Sequence, residues 1–107
     1  PLPLEIQLES DSVILTPGNS RDFDFVISST SQNDLFGISP VLTSHEFLNI
    51  VSHSDTPKSF QLDSDAPRPI RVTISASEDA IPGTYKVLLG AQLSDIAISK
   101  YVTVTIE

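Results

Sequence analysis

The sequence predicts an all-β fold, an antiparallel sandwich or barrel of about seven strands. Three observations predict it. Apolar and polar residues alternate with a period of two in segment after segment, turn signals built from Pro, Gly, Asn and Asp separate those segments, and no window carries a sustained 3.6-residue apolar stripe. Strands with one wet face belong to antiparallel sheets, whereas buried parallel sheets read as continuous apolar runs. With 107 residues the chain is one domain, long enough to bury a core without disulfides or metals.

The elements follow in chain order. Leu4, Ile6 and Leu8 alternate with Glu5, Gln7 and Glu9, giving a strand over 4–9 or a split run that reaches 16. Thr16-Pro17-Gly18-Asn19 then suits a type II turn, with Pro second and Gly third. In the strand over 21–29, Phe23, Phe25 and Ile27 share one face. Asp22, Asp24 and Ser28 share the other, where the acids aid solubility and discourage edge pairing. The middle is patterned less sharply. Strands are expected over 36–43, 47–53 and 58–62, with Pro40 bending the first or placing it at an edge.

Ser64-Asp65-Ala66-Pro67 turns the chain into a strand over 69–76, whose Ile70–Ala76 alternation is the clearest in the sequence. Pro69 stands at its start, where a missing N–H is tolerated. The best helical feature is one turn around Ser77–Ala80, and Ile81-Pro82-Gly83 leads into a strand over 84–93. Ser94-Asp95 connects it to a last strand over 96–106. There Lys100 interrupts the row Ile96, Ile98, Val102, through a β-bulge or through a stem that snorkels at a sheet edge. The expected core is Ile6, Phe25, Ile27, Val72, Ile74, Tyr85, Val87, Leu89, Val102 and Val104.

Val13-Ile14-Leu15-Thr16-Pro17-Gly18 resembles the strand, proline–glycine turn, strand opening of many prokaryotic Ig-like modules. The run from Val72-Thr73-Ile74 through Ile81-Pro82-Gly83-Thr84-Tyr85-Lys86-Val87 is similar to the second half of the alpha-galactosidase-associated Ig-like domains. It also resembles related fibronectin type III-like cell-surface modules. The resemblance lies mostly in the C-terminal third and implies an Ig-like, Greek-key sandwich of extracellular or cell-surface location. By its own physics, Pro82 fixes φ, Gly83 supplies a turn conformation that residues with a Cβ avoid, and Tyr85 keeps its hydroxyl bonded to nearby backbone. The alternative role of Tyr85 is stacking against a ligand. Tyr101 is expected as a partly exposed ring beside Leu88.

Composition narrows the function. Fourteen Asp and Glu against six Lys and Arg give a net charge of −8, which argues against nucleic acid and against direct membrane contact. Without Cys there are no disulfides, thiolate metal sites or cysteine nucleophiles. No Gly-x-Ser-x-Gly elbow and no Gly-rich phosphate loop occurs. His45-Glu46 and Ser52-His53-Ser54-Asp55 place imidazole beside carboxylate, but two His without Cys fall short of a zinc set, and both read as solvated loop residues. Asp55, Asp63 and Asp65, with the alternating Asp63-Ser64-Asp65, are the candidate calcium ligands. The plainer reading of these acids is a solvated turn with Asp side chains capping backbone N–H groups.

The expectation is a non-catalytic structural or adhesive module, excised from a larger protein, with no catalytic residues and no bound cofactor. Its partners would be neighbouring domains, and the isolated domain would be a monomer. The alternative is a module binding carbohydrate or a calcium-dependent partner.

Overall fold

Period-two segments bury one face each, and two sheets satisfy all of them by stacking those faces together. The computed structural model describes residues 2–107. It has nine strands: β1 (Leu4–Leu8), β2 (Ser12–Leu15), β3 (Ser20–Ser29), β4 (Leu35–Thr43), β5 (Leu48–Ser52), β6 (Phe60–Leu62), β7 (Arg68–Ala76), β8 (Gly83–Leu93) and β9 (Ile96–Ile106). One sheet runs β1-β3-β7-β5 and the other β2-β9-β8-β4-β6. The β8–β9 hairpin joins neighbours in one sheet, and every other connection between the described strands crosses to the opposite sheet. The result is an Ig-like, Greek-key β-sandwich.

The core is made by the alternation that predicted it. Phe23, Phe25 and Ile27 of β3, Ile70, Val72 and Ile74 of β7, Val87 and Leu89 of β8, and Val102, Val104 and Ile106 of β9 are all buried. No polar or charged residue is buried among those described, so the interior needs no hydrogen bonds from side chains. Tyr85 departs from the expected core, because its ring is only half-buried at the end of the sandwich.

The described residues form nine strands where about seven were expected. The first run splits: Glu9 to Asp11 bend, β1 joins one sheet and β2 the other. The β2–β9 pair is also parallel, Ser12 to Leu15 lying beside Thr103 to Ile106, so the sandwich is not wholly antiparallel. The Thr103 N–H donates to the Asp11 carbonyl at 3.0 Å and the Glu107 N–H to the Leu15 carbonyl at 2.9 Å. Short β2 leaves the first half of β9 without a strand on that side. There Lys100 stands exposed while its register with β8 runs unbroken from Gly83↔Ile106 to Leu93↔Ile96. The bulge is therefore absent, and Lys100 stands exposed on a stretch of β9 that has no strand beside it on that side.

Turn chemistry agrees with the sequence where backbone geometry is local. Gly18 has φ 82°, and the Asn19 N–H donates to the Thr16 carbonyl at 3.1 Å, as a type II turn requires. Ser94 takes φ 54° in the two-residue connection between β8 and β9. Ser77–Ala80 is a single turn closed by the Ala80 N–H on the Ser77 carbonyl at 3.2 Å. Pro40 lies beyond Ile38, where β6 stops pairing with β4, so the residue without an N–H stands on an edge.

Candidate functional site

Asp22 and Asp24 sit on an interior strand, so they do not blunt an edge. The β3–β7 register sets Ser20, Asp22 and Asp24 opposite Ser75, Thr73 and Arg71 on the outer face of the four-stranded sheet. Each pair is bonded. The two serine hydroxyls are 2.8 Å apart, and Thr73 Oγ1 donates to Asp22 Oδ1 at 2.9 Å. Arg71 donates from Nε at 2.7 Å and from Nη2 at 2.9 Å to the two oxygens of Asp24. Glu9, at the β1–β2 bend, accepts from Arg21 Nη2 and from the Asp24 N–H, both at 2.9 Å.

His53 joins this ladder rather than a solvated loop. It is half-buried, its backbone N–H donates to the Arg71 carbonyl at 3.1 Å, and its Nε2 lies 3.3 Å from Thr73 Oγ1 and 3.4 Å from Asp22 Oδ1. Hydroxyl and carboxylate thus share one ring nitrogen. A catalytic triad places them on opposite nitrogens, so these three residues do not form one.

The ladder sets the charge states. The Thr73 hydroxyl, helped by His53 and Arg71, holds the Asp22 carboxyl below its ordinary value. The Arg71 guanidinium does the same for Asp24, and Asp24 in turn raises Arg71 above its usual range. Carboxyls depressed on folding stabilise above their unfolded value near 3.9 and lose that contribution as pH falls through the lower folded values. Asp24→Asn is therefore expected to be less stable than the parent at neutral pH and to lose less stability between about pH 4 and pH 2. Denaturant midpoints across that range check it; parallel acid limbs for parent and variant would contradict it.

Beside the ladder lies an open hollow of about 430 Å³, lined by Asp24, His53, Asp55, Thr56, Arg68 and Arg71 among others. The Arg68 guanidinium stacks 4.5 Å over the Phe60 ring, which fixes a cation at the rim. The hollow can offer hydrogen bonds to a polar ligand. Arg68 and Arg71 escaped the sequence reading, since both belong to the one strand β7 and their partners, Phe60 and Asp24, come from other strands.

The candidate calcium ligands are not gathered. Asp55 lies in the β5–β6 loop at the hollow, while Asp63 and Asp65 lie between β6 and β7. Asp63 accepts from Gln61 Nε2 at 2.8 Å, and among the described residues no three His, Cys, Asp or Glu side chains converge as a metal site.

Pro82, Gly83 and Tyr85 form a structural corner. The Tyr85 hydroxyl donates to the Ile81 carbonyl at 2.6 Å, as the sequence suggested. Its ring meets His45 at 4.9 Å and Phe47 at 5.9 Å between centroids. Gly83 does not take a positive φ, and a Cβ there would meet the Tyr85 ring at ordinary contact distance, 3.6 Å. The glycine is thus not demanded by backbone conformation. Tyr85→Phe is expected to cost about 0.5–1 kcal/mol, the low end for one hydrogen bond, because the corner is accessible to water. Urea unfolding measures it, and an unchanged midpoint would remove the corner bond from the stability account.

No protein-family model matches the chain, and no curated protein matches it. Solved structures do. The chain is similar to part of the family 123 glycoside hydrolase from Clostridium perfringens, with a TM-score of 0.69 and 9% identity over 99% of this chain and 27% of that one. It is similar to part of E. coli alpha-2-macroglobulin, with a TM-score of 0.74 and 14% identity over 98% of this chain and 7% of that one. The cupredoxin domain of amoB from Nitrosocaldus yellowstonii gives a TM-score of 0.66 and 12% identity, covering 97% of this chain and 86% of that domain. At identities this low, the likeness shows a shared fold and nothing finer.

Proposed function

We propose that the chain is a non-catalytic, structural or adhesive module of a larger extracellular or cell-surface protein, holding neighbouring domains apart and offering them contact surfaces. The observation that carries this reading is the path of the chain. It enters at Leu4 beside Ser29, at one end of β3, and leaves at Ile106 beside Gly83, at the opposite end of a body 45 Å long. Such a body joins domains head to tail. The similarity to parts of much longer proteins supports it, as does the mutual pairing of the charges on the β3–β7 face.

A second reading, a module for carbohydrate or a calcium-dependent partner, is favoured by the hollow beside Arg68 and Arg71. Two measurements on the chain separate them. Reversible two-state melting that is indifferent to calcium or chelator, with no signal on a glycan array, supports the structural module. A calcium-dependent rise in Tm, or glycan binding lost in Arg68→Ala, supports the second reading and overturns the first.

A further inference from the structure

β4 and β6 do not pair evenly. Leu35 lies opposite Leu62 and Ile38 opposite Phe60, so Phe36 and Gly37 together face Gln61 alone. This is a β-bulge, and Gly37 within it has φ 73°, a conformation open to glycine at little cost. The bulge turns Phe36 outward, where it is 67% exposed. Phe23, Phe25 and Phe60 are buried and Phe47 is half-buried, so this one ring is held in water by a dedicated backbone feature. Bulges characteristically re-aim a side chain.

The charged residues at the Leu35–Leu62 end of the β4–β6 pair are acidic, while Lys58 and Arg68 lie toward its other end, at Phe60. Asp34 precedes Phe36 by two residues, and Asp63 and Asp65 follow β6, whose Leu62 pairs with Leu35. The Ser64 N–H donates to Asp34 Oδ1 at 3.1 Å, tying the β6–β7 turn to the start of β4. From Asp22 to Pro57 the chain has no Lys or Arg. An aromatic anchor inside a charged rim is the anatomy of an interface centre, where the ring fills a pocket and the rim selects the partner by charge.

We propose that Phe36 is the anchor of a docking surface for a protein whose apolar pocket is bordered by Lys and Arg side chains. Such a pocket desolvates the ring and pairs its border with Asp34, Asp63 and Asp65. A second copy of this chain would bring the same acidic rim and the same net charge of −8, so like charges oppose self-docking here. The proposal goes beyond the spacing role and does not require it.

The probe is a β-cyclodextrin carrying ammonium groups on one rim, which presents an apolar cavity edged with cations, compared with neutral β-cyclodextrin. Backbone amide NMR is expected to show shifts centred on Phe36, Gly37 and Gln61, with the cationic host binding about tenfold tighter at low salt and losing that advantage at high salt. Phe36→Ala should lose the interaction with its Tm unchanged. The Asp63→Asn, Asp65→Asn pair should bind both hosts more nearly alike. Shifts centred instead on the exposed Tyr101, unaltered binding in Phe36→Ala, or no preference for the cationic host would overturn the proposal. Sedimentation equilibrium showing a dimer that Phe36→Ala dissolves would also overturn it, naming a second copy as the occupant.

Discussion

Gly90→Ala is expected to lower the melting temperature by more than about 12 °C, from a loss of about 3 kcal/mol or more. A Cβ built on Gly90 would stand 1.9 Å from the Ile98 carbonyl oxygen and 2.7 Å from the Ser99 Cα. Both obstacles are backbone, and both belong to β9, which pairs with β8 over eleven residues. A side chain could rotate aside; this strand cannot move without opening the hairpin. β9 is also flanked by β2 on its other side at Thr103 to Ile106, so a shift would spread into a second pairing. Overpacking of a well-filled site usually costs about 1–3 kcal/mol, and a backbone clash at this distance belongs at or above the top of that range. Thermal melts of parent and variant decide the matter, and a Tm within a few degrees of the parent would mean that β9 does not lie over Gly90 as described.

Phe25→Ala is expected to cost about 3–5 kcal/mol, the range for truncating a buried aromatic ring. Phe25 is fully buried on β3, the strand held between β1 and β7, so neighbours on both sides limit collapse into the void. Against a total stability of about 5–15 kcal/mol for a domain, such a loss leaves the variant marginal. Phe36→Ala removes the same atoms from water rather than from the core and should change stability by less than about 0.5 kcal/mol. The contrast between the two variants in urea is the test. Equal losses would contradict the opposite environments assigned to the two rings.

The faces of the strands were legible in the sequence because side-chain direction in a strand depends only on parity. Phe23, Phe25 and Ile27 point inward in the sequence pattern and in the fold alike. Partners were not legible, because alternation says which face is wet but not which strand lies alongside. Asp24 and Arg71 stand 47 residues apart, and only the β3–β7 register makes them a pair. For the same reason His53 read as a loop residue until the ladder gave it Asp22 and Thr73. The alternation in sequence admits both a single first strand and a split at Glu9–Asp11, since a bend that sends successive strands to different sheets leaves little trace in composition. Phe36-Gly37 read as ordinary strand, although a glycine beside an out-of-phase aromatic is the mark that a bulge leaves. Gly90 fell on the outward parity of β8 and gave no sign that the facing backbone passes within contact distance.

The parallel pairing of β2 with β9 fixes how the chain would carry tension. A pull arriving through β1 drags β2 by its N-terminal end, and a pull leaving after Ile106 drags β9 by its C-terminal end. Because the two strands point the same way, those loads slide them past each other along their length. The hydrogen bonds joining Ser12–Leu15 to Thr103–Ile106 are then strained together in shear, not opened one by one as in unzipping. β8 is not itself pulled and takes load only through its pairing with β9. Forced unfolding is governed by the barrier to the first rupture rather than by total stability. In a chain held at both ends, as the proposed spacing role requires, this four-residue strand would bear shear after the β1–β3 pairing ahead of it, and removing its pairing would weaken the tether far more than it weakens the fold.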